Sequence, residues 1–309
     1  MGRTRLDVWL TKKYPSHSRS YFHRLIESGC VRVNGKKERK SSFVHTEDRV
    51  EVEFLPDSPA LSFLVPEPIP LQVVYEDDFL LVVDKPAGMV VHPGPGHHKG
   101  TFAHAFLHRC CVEQDEASPS LRPGIVHRLD RETSGLLLAA KTIQAQKDLS
   151  EQFARREVKK EYLLLARGRL RATPLEIDVP VGRDPRDRKK MRASSVLRGR
   201  YAHTKFLEHD FENQVSLLSA FPLTGRQHQI RVHLKLMGMS LIGDKLYGTP
   251  EKNVQRHMLH AFRLEFLHPV YRTKIALETS FPVDFALCCS RYGFDLKGLF
   301  DLSTSQNKK

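Results

Sequence analysis

Five prolines fall within sixteen residues, at Pro56, Pro59, Pro66, Pro68 and Pro70, and no other feature constrains the fold as strongly. Each proline fixes its own φ, lacks a backbone N–H and biases the residue before it away from helix. Neither a helix nor an interior strand runs through such a stretch. It reads as a stiff linker over 56–70 that divides the chain. The expected parts are a small module over 1–55, a larger domain over 71–295 and a polar tail over 296–309 that frays.

In the small module, Leu6, Trp9 and Leu10 have helical spacing. Ser18 is placed to cap a second helix carrying Tyr21, Phe22, Leu25 and Ile26, and Gly29 to stop it. Val31 to Val33 then leads into Asn34-Gly35, a dipeptide that favours a two-residue hairpin because both turn positions need positive φ. Val50, Val52 and Phe54 alternate with charged residues, as in a half-buried strand. The module holds twelve Lys/Arg against seven acids. Lys36, Lys37, Arg39 and Lys40 cluster at the turn. A solvated surface and a phosphate-contacting patch both explain them, and the clustering favours the patch.

The larger domain reads as strand, turn, strand over Val73–Tyr75, Asp77-Asp78 and Phe79–Val83. A buried strand follows over Gly135–Ala140, then a helix over Gln144–Arg156 with Leu149 and Phe153 on one face, and a strand over Glu161–Arg167. Regular βαβ repeats are missing, so the expected class is α+β, with a small N-terminal α/β module.

The chain of 309 residues is 40% hydrophobic, enough for a core, and carries a net charge of +13. That balance favours a polyanionic partner such as nucleic acid. No run of eighteen apolar residues suggests a membrane span. The first ten residues lack the apolar core of a secretory signal. Five cysteines without a C-x-x-C read as reduced and intracellular, so a cytoplasmic location is expected.

Four segments are candidates for chemistry. The first is His127-Arg128-Leu129-Asp130-Arg131-Glu132-Thr133-Ser134-Gly135, a loop ahead of an apolar strand. Arg128 and Arg131 would keep Asp130 ionised, ready as nucleophile or base. Charge alone favours the plainer alternative, a structural ion pair. The second is Thr224 to His233, where Thr224 and Gln227 fit a capping box, and Ile230, Leu234 and Met237 form an apolar stripe ended by Gly238. Arg226 and Arg231 would lie near that helix start, where backbone N–H groups favour anions. The third is the set His92, His97, His98, His104, His108, His127, His228 and His233. Its spacing does not match a metal site, so none is expected. The fourth is Gly182–Arg200, with eight Lys/Arg and two Asp, including Arg186, Lys189 and Lys190. A cationic arm over nucleic acid and a mobile solvated loop explain it equally.

Arg122-Pro-Gly-Ile-Val-His-Arg-Leu-Asp130-Arg-Glu-Thr-Ser-Gly-Leu137 resembles the catalytic motif of the RluA/RluD family of RNA pseudouridine synthases. Further matches follow in the family's order: Val83 to Gly94, Lys160-Glu-Tyr162, Thr224 to His233, Ile242 to Gly248, and Leu259 to Leu264 with His268-Pro269. The resemblance covers residues 70 to 285. The first module resembles an S-four-type RNA-binding domain through Arg5-Leu-Asp7, Ser18-Arg19, Ile26 to Gly29, Val31 to Gly35 and Glu47 to Val50. Glu47 stands where that family usually has Gly. The combination is similar to the D-type enzymes of large-subunit ribosomal RNA.

The resemblance implies a mixed, mainly antiparallel catalytic sheet and the isomerisation of uridine to pseudouridine in 23S ribosomal RNA, with no cofactor and no metal. Asp130 is then the essential carboxylate, and whether it attacks ribose, adds to the base or removes a ribose proton stays open. Tyr162 stacks on the target base and Arg231 pairs with the carboxylate. Arg128 enters the stack when the base is flipped out. Arg226, His228, Arg186, Lys189 and Lys190 are expected at phosphates, as are Arg19, Lys36 and Lys37 in the first module. A monomer is expected. The alternatives are a non-catalytic RNA-binding or assembly factor, a synthase acting on tRNA, and a glycosidase-like hydrolase pairing Asp130 with Glu132.

Overall fold

The computed structural model describes residues 3–15, 17, 19–55, 64–94, 96–110, 123–187, 189–194 and 199–296. The expected cap Ser18, most of the proline linker (56–63) and the end of the tail (297–309) lie outside the described residues. Contacts divide the chain into two compact units that part between Leu64 and Val65.

The first unit holds β1 (Thr4–Arg5), α1 (Leu6–Lys13), α2 (Arg19–Glu27), β2 (Val31–Val33), β3 (Lys36–Lys37), β4 (Phe43–Val44) and β5 (Val50–Val52). Asn34 and Gly35 both take positive φ, 52° and 76°, and close the β2–β3 hairpin with Val33 opposite Lys36. β5 pairs antiparallel with β2 on its other side. Leu6 and Leu10 of α1 pack on Phe22, Leu25 and Ile26 of α2 and on Val31 and Val33. Gly29 takes φ 80° just beyond α2, in the left-handed region where glycine carries no side-chain penalty. Asp7 is fully buried and accepts hydrogen bonds from Arg5, Arg19 and His23 at 3.0, 2.6 and 3.0 Å. Burial pushes its carboxyl up, and the bonds from His23, Arg19 and Arg5 outweigh this and hold it well below the usual range. Arg19, expected at a phosphate, is thus bound first to Asp7, while Lys36 and Lys37 stand exposed on the hairpin.

The second unit carries β6 (Gln72–Glu76), β7 (Leu80–Lys85), α3 (Phe102–Cys110), β8 (Ser134–Ala140), α4 (Ile143–Arg155), β9 (Lys159–Arg167), β10 (Leu175–Asp178), β11 (Val181–Arg183), β12 (Met191–Ala193), β13 (His203–Glu212), β14 (Val215–Pro222), α5 (Gln229–Leu236), β15 (Ser240–Leu241), β16 (Leu259–Leu267), β17 (Lys274–Glu278) and α6 (Val283–Tyr292). Its main sheet runs β10-β13-β14-β9-β16-β8-β7-β6, with β15 on β9 and β17 on β16. Every pairing is antiparallel except β8 with β16. The class is α+β, as the sequence predicts.

Alternation along β8 serves two cores. Leu136, Leu138 and Ala140 pack with Leu149 of α4, and Leu137 and Ala139 pack with Phe102 and Phe106 of α3. Along β9, Leu163 and Leu165 meet Phe285 and Cys289 of α6, while Leu164 and Ala166 meet Ile230 and Leu234 of α5. Helices thus cover both faces of β8 and of β9. Thr142 caps α4, its hydroxyl accepting from the Ala145 N–H at 3.2 Å.

Two expectations are corrected. α5 begins at Gln229, and Thr224 does not pair with Gln227; the Gln229 side chain accepts from the Thr224 hydroxyl (2.6 Å) and the Arg226 N–H (3.0 Å). His228 adopts the left-handed conformation, φ 55°, so residues 224–228 form a turn ahead of the helix. The Gly182–Arg200 stretch is not wholly a mobile arm. β11 and β12 pair across it, and the Asp184 carboxylate fixes the turn by accepting from the Arg186 and Asp187 N–H groups. Val181 and Ala193 pack on Val232 and Tyr247, which anchors the hairpin. Arg188 and residues 195–198 of that stretch lie outside the described residues.

Candidate active site

The loop from His127 to Thr133 reaches β8 under four anchors. A turn closes on itself where Thr133 N–H donates to the Asp130 carbonyl at 3.0 Å. The Arg131 carbonyl accepts from the Gly88 N–H (2.8 Å) and from the ammonium of Lys85 (3.2 Å). Lys85 is fully buried and also donates to the Pro86 and Met89 carbonyls at 2.7 and 3.0 Å. Burial lowers its pKa to about 7. The Glu132 carbonyl accepts from Arg256 (3.2 Å), which makes a two-pronged pair with Asp284 of α6. The Thr133 hydroxyl bonds His257 Nε2 at 2.9 Å. Gly135 follows at φ 110°, where a Cβ would lie 2.2 Å from the Ala261 carbonyl oxygen. Only glycine permits the parallel approach of β8 to β16 there.

Asp130 faces Arg231 of α5. Arg231 donates through Nη1 to Asp130 Oδ2 at 3.2 Å, and through Nε and Nη2 to the two oxygens of Asp244, each at 2.8 Å. One Asp244 oxygen also accepts from the Leu246 and Tyr247 N–H groups. Burial pushes the Asp244 carboxyl up, but Arg231 and these N–H groups carry it below its ordinary value. The guanidinium lies 4.9 Å from the Tyr247 ring centroid. Arg231 is thus fixed by Asp244 along one edge, and its remaining nitrogen is aimed at Asp130.

His228 and Tyr162 complete the surroundings. His228 Nδ1 lies 2.7 Å from the Tyr247 hydroxyl, which accepts from the Met191 N–H and so has its own proton to donate. By that network Nε2 carries the ring proton, 3.9 Å from Asp130 Oδ2. Burial lowers the His228 pKa despite the opposing pull of Asp130, so the ring is neutral near pH 7. Tyr162 stands on β9 in the floor of the cleft. Burial, and then the Asp130 charge, raise its pKa, which keeps the phenol protonated. The cleft measures about 400 Å³ and is lined among others by His92, Arg128, Asp130, Lys160, Tyr162 and Arg226.

Asp130, Tyr162 and Arg231 are therefore brought together, with Arg128, Arg226 and His228 on the same cleft. Three sequence expectations change. Arg131 does not serve Asp130; it pairs with Glu132 at 2.9 Å. Arg128 is exposed and its Nη1 lies 3.5 Å from His92 Nε2, leaving Arg231 as the cation on the carboxylate. His228, expected at a phosphate, sits beside Asp130 instead. Glu132, the second acid of the hydrolase alternative, is absent from the cleft lining. Arg186 and Lys189 are exposed at the β11–β12 turn, with Lys190 3.8 Å from Asp187. Among the described residues no three His, Cys, Asp or Glu side chains are grouped as metal ligands. Sequence reasoning missed the roles of Asp244, Tyr247, Lys85 and Arg256. The first two lie in the Ile242–Gly248 match, which was their only signal.

The RNA pseudouridylate synthase family matches residues 79–236, and the S4 domain matches residues 4–50. Together with the cationic cleft they define a class, RNA-modifying enzymes with an appended RNA-binding domain. The chain belongs to the RNA pseudouridylate synthase family. It is 36% identical over 292 residues to an "Uncharacterized RNA pseudouridine synthase" of Aquifex aeolicus, covering 91% of each chain. It is 40% identical over 296 residues to a "Ribosomal large subunit pseudouridine synthase D" of Neisseria meningitidis, covering 91% of this chain and 76% of the relative. Its fold matches the solved structure titled "Human RNA Pseudouridylate Synthase Domain Containing 1" with a TM-score of 0.56 and 26% identity, over 70% of this chain and 85% of that one.

Proposed function

We propose that this chain converts specific uridines of large-subunit (23S) ribosomal RNA to pseudouridine, with Asp130 as the essential carboxylate. The observation that carries the reading is the relay Asp244–Arg231–Asp130, which presents a charged and aimed carboxylate at the mouth of a cleft sized for a nucleotide. In the reaction the bond from ribose C1′ to N1 of uracil breaks, the uracil turns, a bond from C1′ to C5 forms, and C5 gives up its proton while N1 gains one. Tyr162 stacks on the base as a neutral phenol. Arg128, exposed at the cleft, fills the place of the flipped nucleotide in the RNA stack. The ribosomal substrate rests on relatives named for the large subunit.

The same reading divides the work between the parts of the chain. The module over 1–55 grips RNA through Lys36 and Lys37, the proline-rich segment over 56–70 is the linker, and 71–295 is the catalytic domain. Arg186, Lys189 and Lys190 meet phosphates from the β11–β12 turn. The enzyme works as a monomer in the cytoplasm, where its substrate is assembled.

Pseudouridine mapping of ribosomal and transfer RNA, from cells with and without the chain, tests the substrate. Loss of discrete sites in 23S RNA is expected. Loss confined to transfer RNA contradicts it.

A further inference from the structure

The cleft has two electrostatic ends. At one, the cation on Asp130 is Arg231, which is held by both Asp130 and Asp244. At the other, Lys160 and Arg226 line the cleft, with Arg156 and Arg200 close to Arg226, and among the described residues none of the four has an acid within ion-pair distance. Lys160 leaves β9 on the same side as Tyr162, two residues on; the residue is half-buried, and its ammonium lies 5.9 Å from the Phe153 ring, which itself stacks on His127 at 4.8 Å. Arg226 donates through Nε to the Tyr201 carbonyl at 2.9 Å, and the Arg156 guanidinium lies 4.6 Å from the Tyr201 ring. Tyr201, 39% exposed, thus gathers two guanidinium groups, one of which, Arg226, lines the cleft. Arg156 is presented from the left-handed residue that ends α4, and Arg200 from the backbone bridge to Val181.

Lys160 and Arg226 line the same cleft with no acid to offset them, and a half-desolvated cluster of like charges is stabilised by an anion. The consequences agree with the geometry. Burial, then Arg226, lower the Lys160 pKa to about 8, and burial, then Arg200 and Arg156, lower that of Arg226. The cluster therefore favours a ligand that brings negative charge. A phosphodiester is always anionic at neutral pH and offers acceptors to several donors at once.

Resting on the activity proposed above, we infer that Lys160, Arg226 and Arg156 form a built subsite for one RNA backbone phosphate adjoining the uridine held at Asp130, with Arg200 supplying longer-range charge. The subsite fixes which way the RNA strand enters the cleft: phosphate toward Lys160, ribose and base toward Asp130 and Tyr162.

The test uses the full chain and unmodified large-subunit ribosomal RNA made by transcription. KM, kcat and salt dependence are measured for the unmutated enzyme and for Lys160→Gln, Lys160→Arg and Arg156→Gln. RNA binding is also followed on an Asp130→Asn background, where no turnover is needed. Removing either cation raises KM about 10- to 100-fold, as expected for a charge-assisted phosphate contact, with the loss falling on KM rather than kcat. The slope of log affinity against log salt becomes shallower by about 1 per contact removed. Lys160→Arg retains most of the affinity. Arg156 is a surface residue, so its variant reports even if Lys160→Gln fails to fold. An unchanged salt slope in both Gln variants, or a fall in kcat with KM unaltered, overturns the inference. So does inorganic phosphate binding near Lys160, seen by NMR without RNA, if RNA affinity ignores both substitutions. Absence of pseudouridine from the unmutated enzyme would instead count against the activity, leaving the binding slopes to judge the subsite.

Discussion

Arg231 joins two carboxylates with one guanidinium, and that geometry gives the sharpest residue-scale expectation. Its Nε and Nη2 hold Asp244 while Nη1 reaches Asp130. A lysine at this position keeps the charge but presents a single nitrogen, which cannot fix one acid and aim at the other. Arg231→Lys should therefore lower the single-turnover rate about 100-fold, the scale of a displaced catalytic group. A rate within about threefold of the unmutated enzyme would mean that Asp130 is oriented by other means. The carboxylate, tyrosine and arginine were legible in the sequence because each sits within an ordered motif. Asp244 was not. It matters only because the turn after β15 folds it beneath Arg231, thirteen residues earlier in the chain, and nothing local in Gly243-Asp244-Lys245 shows that contact. The charges beside Asp130 in the sequence misled for the same reason. Arg128 and Arg131 are neighbours along the chain but point to His92 and Glu132.

At the scale of elements, β8 is the scaffold of the site, and Gly135 is where it is most exacting. A Cβ there would meet the Ala261 carbonyl oxygen at 2.2 Å and its nitrogen at 2.6 Å, with φ at 110°. Both contacts are backbone, so no side-chain rotation relieves them. Gly135→Ala should destabilise the fold by roughly 2–4 kcal/mol, a size reserved for named steric or strain mechanisms. Urea unfolding measures it, and a loss under about 1 kcal/mol would show that β8 and β16 part easily. Apolar strands such as Leu80–Lys85 and Ser134–Ala140 were readable from their composition. The β11–β12 hairpin was not, because its sequence is charged and its pairing depends on Val232 and Tyr247 from elsewhere. The start of α5 was misplaced because a capping pattern at Thr224 and Gln227 competes with the left-handed turn at His228.

For the whole molecule, three desolvated histidines tie stability to pH. Burial lowers the pKa of His127, His257 and His260 to about 3 in each case. The unfolded chain protonates histidine near pH 6.5, so between about 6.5 and 3 it binds more protons than the folded protein. Stability is complete above that window and falls as pH drops through it, each histidine adding a slope of about 1.4 kcal/mol per pH unit. Urea midpoints at pH 7.5 and pH 5 should differ clearly, with the lower at pH 5. Equal midpoints would contradict the neutral, desolvated assignment. The net charge of +13 pointed to a polyanion without saying where it binds. The fold gathers cations from distant segments around the Asp130 cleft, which is the place proposed for the RNA. The proposed activity depends on one carboxylate acting on RNA. Unmodified 23S ribosomal RNA incubated with the purified chain, and with Asp130→Asn, followed by pseudouridine mapping, tests this most directly. Pseudouridine is expected at discrete positions with the unmutated protein and not with the variant, which still binds the RNA. Equal product from both would contradict it.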